Sequence, residues 1–253
     1  MPEQTITDDG DTTNPFMQRL LENREPKCRI DWQNDMQSTY IAIAQAGSTT
    51  LHEGFNHHDH YCTVKDMEQR GFRYVLLPLR HPLARILSGL SRRFEGKRVG
   101  KESNGIIYKI FHNRTNGADD FLTSLRSETD PHHKAVISSI LGPKKQNYML
   151  PITHFYLKNY TGHVNVAFLC IETLLDDYHT AFRRWGIEPP KILSETSIRH
   201  KSKVSSGNTT TLMTRFSKQN IDWVIQTYSN DVALYKKHCP DGFREINRGI
   251  DHL

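Results

Sequence analysis

Three side chains that can bind an anion lie within one short stretch of the chain: Arg80, Arg85 and Ser88. Arg85 and Ser88 are three residues apart, so on a helix they would share one face. Two guanidinium groups and a hydroxyl at the beginning of a helix form an anion site, and phosphate is the anion that suits them best. The same residues allow a structural interpretation, in which Arg80 caps the end of a strand and Arg85 lies in solvent.

The elements that would position these side chains are a strand and a helix. Residues 73–79 form a short apolar run rich in β-formers between Gly71 and Pro82, which predicts a buried strand. Pro82 suits the first position of a helix, where its missing N–H is not needed. Apolar residues then recur at helical spacing, at Leu83, Ile86, Leu87 and Leu90. The sequence therefore predicts a strand, a turn that carries Arg80, and a helix.

A second element suited to phosphate precedes the first along the chain. Residues 39–44 (TYIAIA) predict a buried strand, and Gln45 and Ala46 lead from it into Gly47, Ser48, Thr49 and Thr50. A glycine lets the backbone approach an anion, while free N–H groups and hydroxyls supply donors. The stretch is not a Walker A loop, because it lacks the second glycine and the lysine. An ordinary capped helix start would give the same pattern.

A histidine-rich segment follows, at His57, His58, Asp59 and His60. It is compatible with a solvated loop, a general base or a metal site. A metal site would need a further ligand that the sequence does not nominate, so we predict no metal.

The rest of the chain supplies helices, one more strand and a polar loop. We expect a helical insert at about 95–160, with helices at 118–125 and 131–141, a strand at 163–170 and a helix ending near Gly186. The polar stretch 191–211 is predicted to be mobile and carries Arg199, Lys201 and Lys203 at alternate positions. It is either a solvated linker or a flap over an anionic ligand. A long amphipathic helix is expected at 217–238, followed by a polar tail.

The composition limits the class of protein. The 253 residues, 36% of them hydrophobic, fit a single domain at 16–253 behind a disordered leader at 1–15. No run of 18 apolar residues and no secretory signal are present, which predicts a cytoplasmic protein without a membrane segment. The net charge of +5 is too small and dispersed to indicate nucleic-acid binding. The scattered cysteines, without a CxxC pair, are expected to be free thiols: Cys28, Cys62, Cys170 and Cys239.

The order of the predicted elements indicates the fold class. Strands that alternate with helices predict an α/β protein, a three-layer P-loop-like fold with a central parallel sheet flanked by helices. Ligands of such sheets bind at the carboxyl ends of the strands, where both phosphate-seeking elements would lie. The pair of elements therefore predicts a ligand with two separated phosphate groups.

On these motifs the chain resembles the sulfotransferases that use 3′-phosphoadenosine 5′-phosphosulfate (PAPS), in particular the glycan O-sulfotransferase branch. The family pattern R-D-P-x-x-R-x-x-S is matched by RHPLARILS at 80–88, with His81 in place of the aspartate. The 5′-phosphosulfate loop, roughly P-K-x-G-[ST]-[ST]-[ST]-L, is matched by AQAGSTTL at 44–51, with Gln45 in place of the lysine. Residues 168–177 (FLCIETLLDD) resemble a third family element. The three elements span about residues 39–186.

The resemblance implies specific roles for these residues. Arg80 and Ser88 would hold the 3′-phosphate with assistance from Arg85, while Gln45, Ala46 and the Gly47–Thr50 loop would hold the 5′-phosphosulfate. Sulfuryl transfer depends largely on in-line positioning and neutralised charge. Losing one hydrogen-bond donor to the transition state raises the activation free energy by on the order of 3 kcal/mol. Another cation is therefore expected to replace the lysine. The candidates for that cation are Arg199, Lys201 and Lys203.

The resemblance also implies an acceptor and a base. The acceptor would be a hydroxyl or amine of a glycan or small molecule, and the product 3′-phosphoadenosine 5′-phosphate (PAP). His58 or His60 would be the base, with Glu53 and His52 as further candidates. The alternative is a non-catalytic nucleotide-binding protein of the same fold, because Gln45 carries no charge. A P-loop kinase is a weaker option without the loop lysine. The sequence does not indicate an oligomeric state.

Overall fold

The central element is a parallel sheet in the order β1-β2-β3. The computed structural model describes residues 14–22, 28, 37–43, 46, 51, 55, 62–94, 106–112, 114–141, 147–190 and 213–251. Its strands are β1 (Ser38–Tyr40), β2 (Tyr74–Leu79) and β3 (Asn165–Cys170). Leu76 of β2 lies opposite Tyr40 on one side and Ala167 on the other. The predicted α/β class and the parallel sheet are thus confirmed.

The sheet has a hydrophobic core on each face, because successive side chains of a strand point to opposite sides. Tyr40, Leu76 and Leu169 lie in one cluster, which also contains Tyr178 and Phe182 of the helix α7 (Leu174–Trp185). Ile41, Val75 and Leu77 lie in the other, larger cluster. Helices therefore pack against both faces of the sheet.

Ten helices have both ends within the described parts of the chain, besides short 3-10 and π turns. Before β2 lie α1 (Pro15–Glu22) and α2 (Val64–Gln69), and after it come α3 (Pro82–Phe94), α4 (Ile106–Phe111), α5 (Gly117–Arg126) and α6 (His133–Leu141). After α7 follow α8 (Lys218–Thr227), α9 (Ser229–His238) and α10 (Pro240–Asp251). Residues 1–13 of the predicted leader lie outside the described residues, whereas Asn14 accepts hydrogen bonds from the N–H groups of Phe16 and Met17 at the beginning of α1.

The C-terminal region differs from the prediction. The prediction of a single helix at 217–238 is wrong, because the chain forms two helices, α8 and α9, with a break at Tyr228. At the break, the Tyr228 hydroxyl donates to the carbonyl of Met149 at 2.7 Å. Both helices turn their apolar residues towards the core, so the apolar pattern of the sequence continues through the break. The predicted tail is also helical: α10 begins at Pro240, a residue suited to the first helical position.

The prediction of free thiols is wrong. Cys28 pairs with Cys62, and Cys170 pairs with Cys239, so no cysteine remains free. The partners are separated by 34 and 69 residues, which explains why sequence spacing did not reveal them. The second disulfide joins the end of β3 to the junction of α9 and α10. None of the helices in the described ranges combines the length and the apolar character needed to cross a membrane.

Candidate functional site: the arginine turn

The predicted strand, turn and helix around Arg80 are present. β2 ends at Leu79, Arg80 and His81 form the turn, and α3 begins at Pro82. The N–H of Arg85 donates to the carbonyl of His81 at 2.9 Å, which fixes the first turn of the helix against the end of the strand. We call residues 80–88 the arginine turn. It lies at the carboxyl edge of the central strand, where ligands of parallel sheets bind.

Arg85 lies inside the protein and not in solvent, so the structural alternative for this residue is wrong. Its side chain is fully buried, and its Nη2 donates to Asp231 Oδ2 at 3.2 Å. Asp231 is on α9 and also accepts from Ile152 N at 2.7 Å, from Thr153 N at 2.9 Å and from Thr153 Oγ1 at 2.8 Å. Among the residues that the structure describes, the buried Nε and Nη1 groups of Arg85 have no hydrogen-bond partner.

Arg80 is 7% exposed and lies among charged and polar groups of two other elements. Burial lowers the pKa of Arg80, the nearby Glu172 and Tyr235 oppose this change, and the positive charge of Arg85 adds to it. Glu172 comes from the turn after β3, and Tyr235 comes from α9. The Tyr235 hydroxyl donates to Glu172 Oε1 at 2.7 Å. Two guanidinium groups are thus close enough for their charges to interact, a feature that favours an anion.

His81 is the residue that departs from the family-like pattern, and it is neutral. Burial lowers its pKa from 6.5 to about 3, and the side chain is 1% exposed. Its ring lies edge-on to Tyr235, with 5.4 Å between the ring centroids, and 6.1 Å from the Phe243 ring of α10. An aromatic pocket formed by α9 and α10 therefore encloses the position where an aspartate would carry a negative charge.

Ser88 lies two helical turns along α3 and is partly buried. Its neighbour Gly89 packs directly on Tyr148, and a Cβ atom at this position would overlap the aromatic ring. The glycine therefore lets α3 lie close to the segment 147–150.

The second phosphate-seeking element is described only in part. Residues 41–43 follow β1 at the same edge of the sheet as the arginine turn, because β1 and β2 are parallel neighbours. The N–H of Ile41 donates to the Leu76 carbonyl at 2.9 Å, and Ala46, itself buried, donates to the Ile43 carbonyl at 3.2 Å. The other predicted site residues lie outside the described residues: Gln45, Gly47, Ser48, Thr49, Thr50, His52, Glu53, His58, His60, Arg199, Lys201 and Lys203.

The sequence did not identify Asp231 or Tyr235 as part of this site. Tyr235 belonged to the apolar side of a predicted helix, and an acidic residue such as Asp231 resembles any solvated residue when only the sequence is known. Glu172 was part of the third family-like element, yet its approach to Arg80 follows only from the way β3 lies beside β2.

Comparison with known proteins identifies no relative: neither family models, nor curated proteins, nor solved structures match this chain. In the ranges that the structure describes, no group of three or more His, Cys, Asp or Glu side chains is arranged to hold a metal ion.

Proposed function

We propose that the chain is a PAPS-dependent sulfotransferase, which moves the sulfuryl group to a hydroxyl or amine of a glycan or small molecule. The observation that carries the proposal is the arginine turn, in which Arg80 follows the carboxyl end of the central strand and Arg85 lies in the first turns of α3, near enough for the two charges to interact. A helix N-terminus and two adjacent guanidinium groups together favour a doubly charged phosphate.

The structure supports a more specific division of roles than the sequence alone. Arg80 keeps a small exposed surface and is the residue through which a 3′-phosphate is held, together with Ser88 on α3. Arg85 is fully buried and bound to Asp231, so its part is to place positive charge behind Arg80 and to fix the helix. This changes the assistance expected of Arg85 from contact with the phosphate to support of Arg80.

The 5′-phosphosulfate is assigned to the Gly47–Thr50 loop, which follows the strand beside β2. A P-loop-like fold and a PAPS molecule spanning the ends of β1 and β2 are parts of the same proposal. In-line transfer then needs a base, for which His58 and His60 remain the candidates. A cation is also needed to compensate for Gln45, and Arg199, Lys201 and Lys203 remain the candidates.

The two disulfides bear on the compartment. Disulfides persist in oxidising surroundings and are rare in the cytosol, so they weigh against the cytoplasmic location predicted from the sequence. We therefore propose that the protein is located in an oxidising compartment, where a glycan acceptor would also be present.

The test is binding of PAP followed by transfer. At a PAP concentration about 100 times its Kd, binding stabilises a protein by about 2.7 kcal/mol, which for this size is a Tm increase of roughly 5–10 °C. Arg80→Ala should abolish the increase, whereas Arg114→Ala, which removes an exposed arginine paired with Asp120, should retain it. No increase with millimolar PAP would refute the proposal.

Transfer of radiolabelled sulfate from PAPS to a panel of sugars, amines and peptides then distinguishes an enzyme from a binding protein. Binding of PAP without transfer to any acceptor would favour the non-catalytic nucleotide-binding protein, which the uncharged Gln45 suggests.

A further inference from the structure

Glu172 occupies an unusual position for an acid beside a phosphate site. It lies just after the carboxyl end of β3, and its Oε1 accepts the hydroxyl of Tyr235 at 2.7 Å. Tyr235 is 1% exposed, so this hydroxyl holds the carboxyl group from inside the protein, although Glu172 itself is an exposed residue. The hydrogen bond therefore restrains the position of the Glu172 carboxyl group.

The backbone of α10 packs closely against Glu172 and Tyr235. A Cβ atom at Gly242 would overlap the Tyr235 hydroxyl and lie 3.0 Å from Glu172 Cδ. The disulfide between Cys170 and Cys239 ties this helix junction to the end of β3, two residues before Glu172. Covalent and packing constraints thus hold the Glu172–Tyr235 pair at the sheet edge where Arg80 lies, since Leu79 pairs with Cys170 in the sheet.

We propose that Glu172 is a counter-charge of Arg80 when no anion is bound and takes up a proton when a phosphate group binds to Arg80. The inference rests on the proposed function, since it assumes that a phosphate is the anion held by Arg80. A bound dianion and the Glu172 carboxylate would repel each other across the same guanidinium, and a proton from solvent on the free carboxyl oxygen removes that repulsion. Glu172 is thereby a positioning residue that makes phosphate binding depend on pH.

The charged surroundings of Glu172 agree with this role. Burial raises the pKa of Glu172, and Glu245 of α10 raises it further, whereas the Tyr235 hydrogen bond, a backbone N–H and Arg80 lower it. The positive charge of Arg85 on α3 also acts on Arg80 and lowers the pKa of Arg80. Asp177 of α7 is engaged by Cys170 N and Thr173 Oγ1. His81 is neutral above pH 3, so it adds no charge.

The substitution that isolates the charge is Glu172→Gln, because the amide oxygen can still accept from Tyr235. Calorimetric titration with PAP at pH 6 in buffers of different ionisation enthalpy measures the protons taken up on binding. The wild type should take up at least about 0.3 proton more per PAP than Glu172→Gln does, since any proton on the PAP itself is common to both proteins. At pH 8, Glu172→Gln should bind PAP about three to ten times more tightly than the wild type.

Glu245→Gln is the matched control, since it removes a nearby acid that makes no hydrogen bond to Tyr235, and it should change proton uptake much less. Tyr235→Phe is a second variant, which releases the carboxyl group and should lower the uptake towards that of Glu172→Gln. Equal uptake by the wild type and Glu172→Gln, or no gain in affinity at pH 8, would overturn the inference while leaving the proposed function intact.

If the wild type binds no PAP, the proposed function fails, and a ligand-free measurement decides the inference. Unfolding equilibria of Arg80→Met, Glu172→Gln and the double variant give the coupling between the two charges. A coupling of about fivefold or more in the unfolding constant supports the counter-charge, and independent effects overturn it.

Discussion

The Arg85–Asp231 pair allows the sharpest test of how the arginine turn is held. Asp231→Ala removes a carboxylate that accepts four hydrogen bonds, from Arg85, Ile152 N and both donors of Thr153. It leaves a fully buried guanidinium, two of whose nitrogens already lack a hydrogen-bond partner in the described part of the chain. Breaking a buried ion pair from one side costs about 3–5 kcal/mol. We expect a loss of free energy of unfolding of about 4 kcal/mol, or roughly 8–16 °C in Tm.

The reverse substitution should cost less. Arg85→Met keeps the buried aliphatic stem, removes the unsatisfied nitrogens and leaves Asp231 with three hydrogen bonds. We expect a loss of about 2 kcal/mol, near the value of one buried charged hydrogen bond. The asymmetry between the two variants follows directly from the number of donors that each change leaves without a partner.

Urea unfolding followed by far-UV circular dichroism measures both losses. Lys218→Ala is the control, because it removes an exposed ion pair with Asp222 one helical turn apart, worth about 0.3–0.5 kcal/mol. Losses below about 1 kcal/mol for both buried-pair variants, or a larger loss for Arg85→Met than for Asp231→Ala, would refute this account of the site.

Three further predictions concern the same region. Burial lowers the pKa of His81 from 6.5 to about 3, so the unfolded chain binds this proton more tightly; stability should fall as the pH drops from 6.5 towards 3. The free energy of unfolding should fall by up to about 1.4 kcal/mol per pH unit in this range. Urea unfolding of His81→Gln should show a smaller fall than the wild type. The same dependence on pH in both proteins would contradict the assignment. Gly242→Ala should cost about 1–3 kcal/mol through overlap with Tyr235, and thermal unfolding should show partial rescue by Tyr235→Phe; equal losses in both backgrounds would argue against that contact. Replacing Cys170 and Cys239 by alanine opens a link between residues 69 apart and should cost about 2–4 kcal/mol in urea unfolding, whereas an unchanged midpoint would speak against the link.

The sequence predicted those features that depend on local pattern. The apolar run before Arg80 and the helical spacing after Pro82 correctly gave β2 and α3, and Gly186 ends α7 in a left-handed conformation (φ 67°), as its C-cap position predicts. The disulfides and the break at Tyr228 could not be predicted in the same way. Both depend on contacts between distant residues, such as the hydrogen bond from Tyr228 to Met149.

Only the part of the candidate site that lies within residues 80–88 could be predicted from the sequence. Arg80, Arg85 and Ser88 follow from their spacing, but the acids near the two arginines, Glu172 and Asp231, come about 90 or more positions later in the chain. A buried acid such as Asp231 has the same appearance in a sequence as an exposed one, and only its contacts distinguish it. The proposed role of Arg85 changed for this reason, from a ligand of the phosphate to a buried support.

The neutral state of His81 explains why these distant partners matter. An acid directly after Arg80 would supply a local negative charge beside the two guanidinium groups, and His81 supplies none. Asp231 on α9 forms an ion pair with Arg85, and the charge of Glu172 after β3 acts on Arg80. Since α9 also provides Tyr235, which holds Glu172, the charge balance of the arginine turn depends on the C-terminal helices. The disulfide from Cys170 to Cys239 fastens those helices to the sheet edge at which the proposed nucleotide binds.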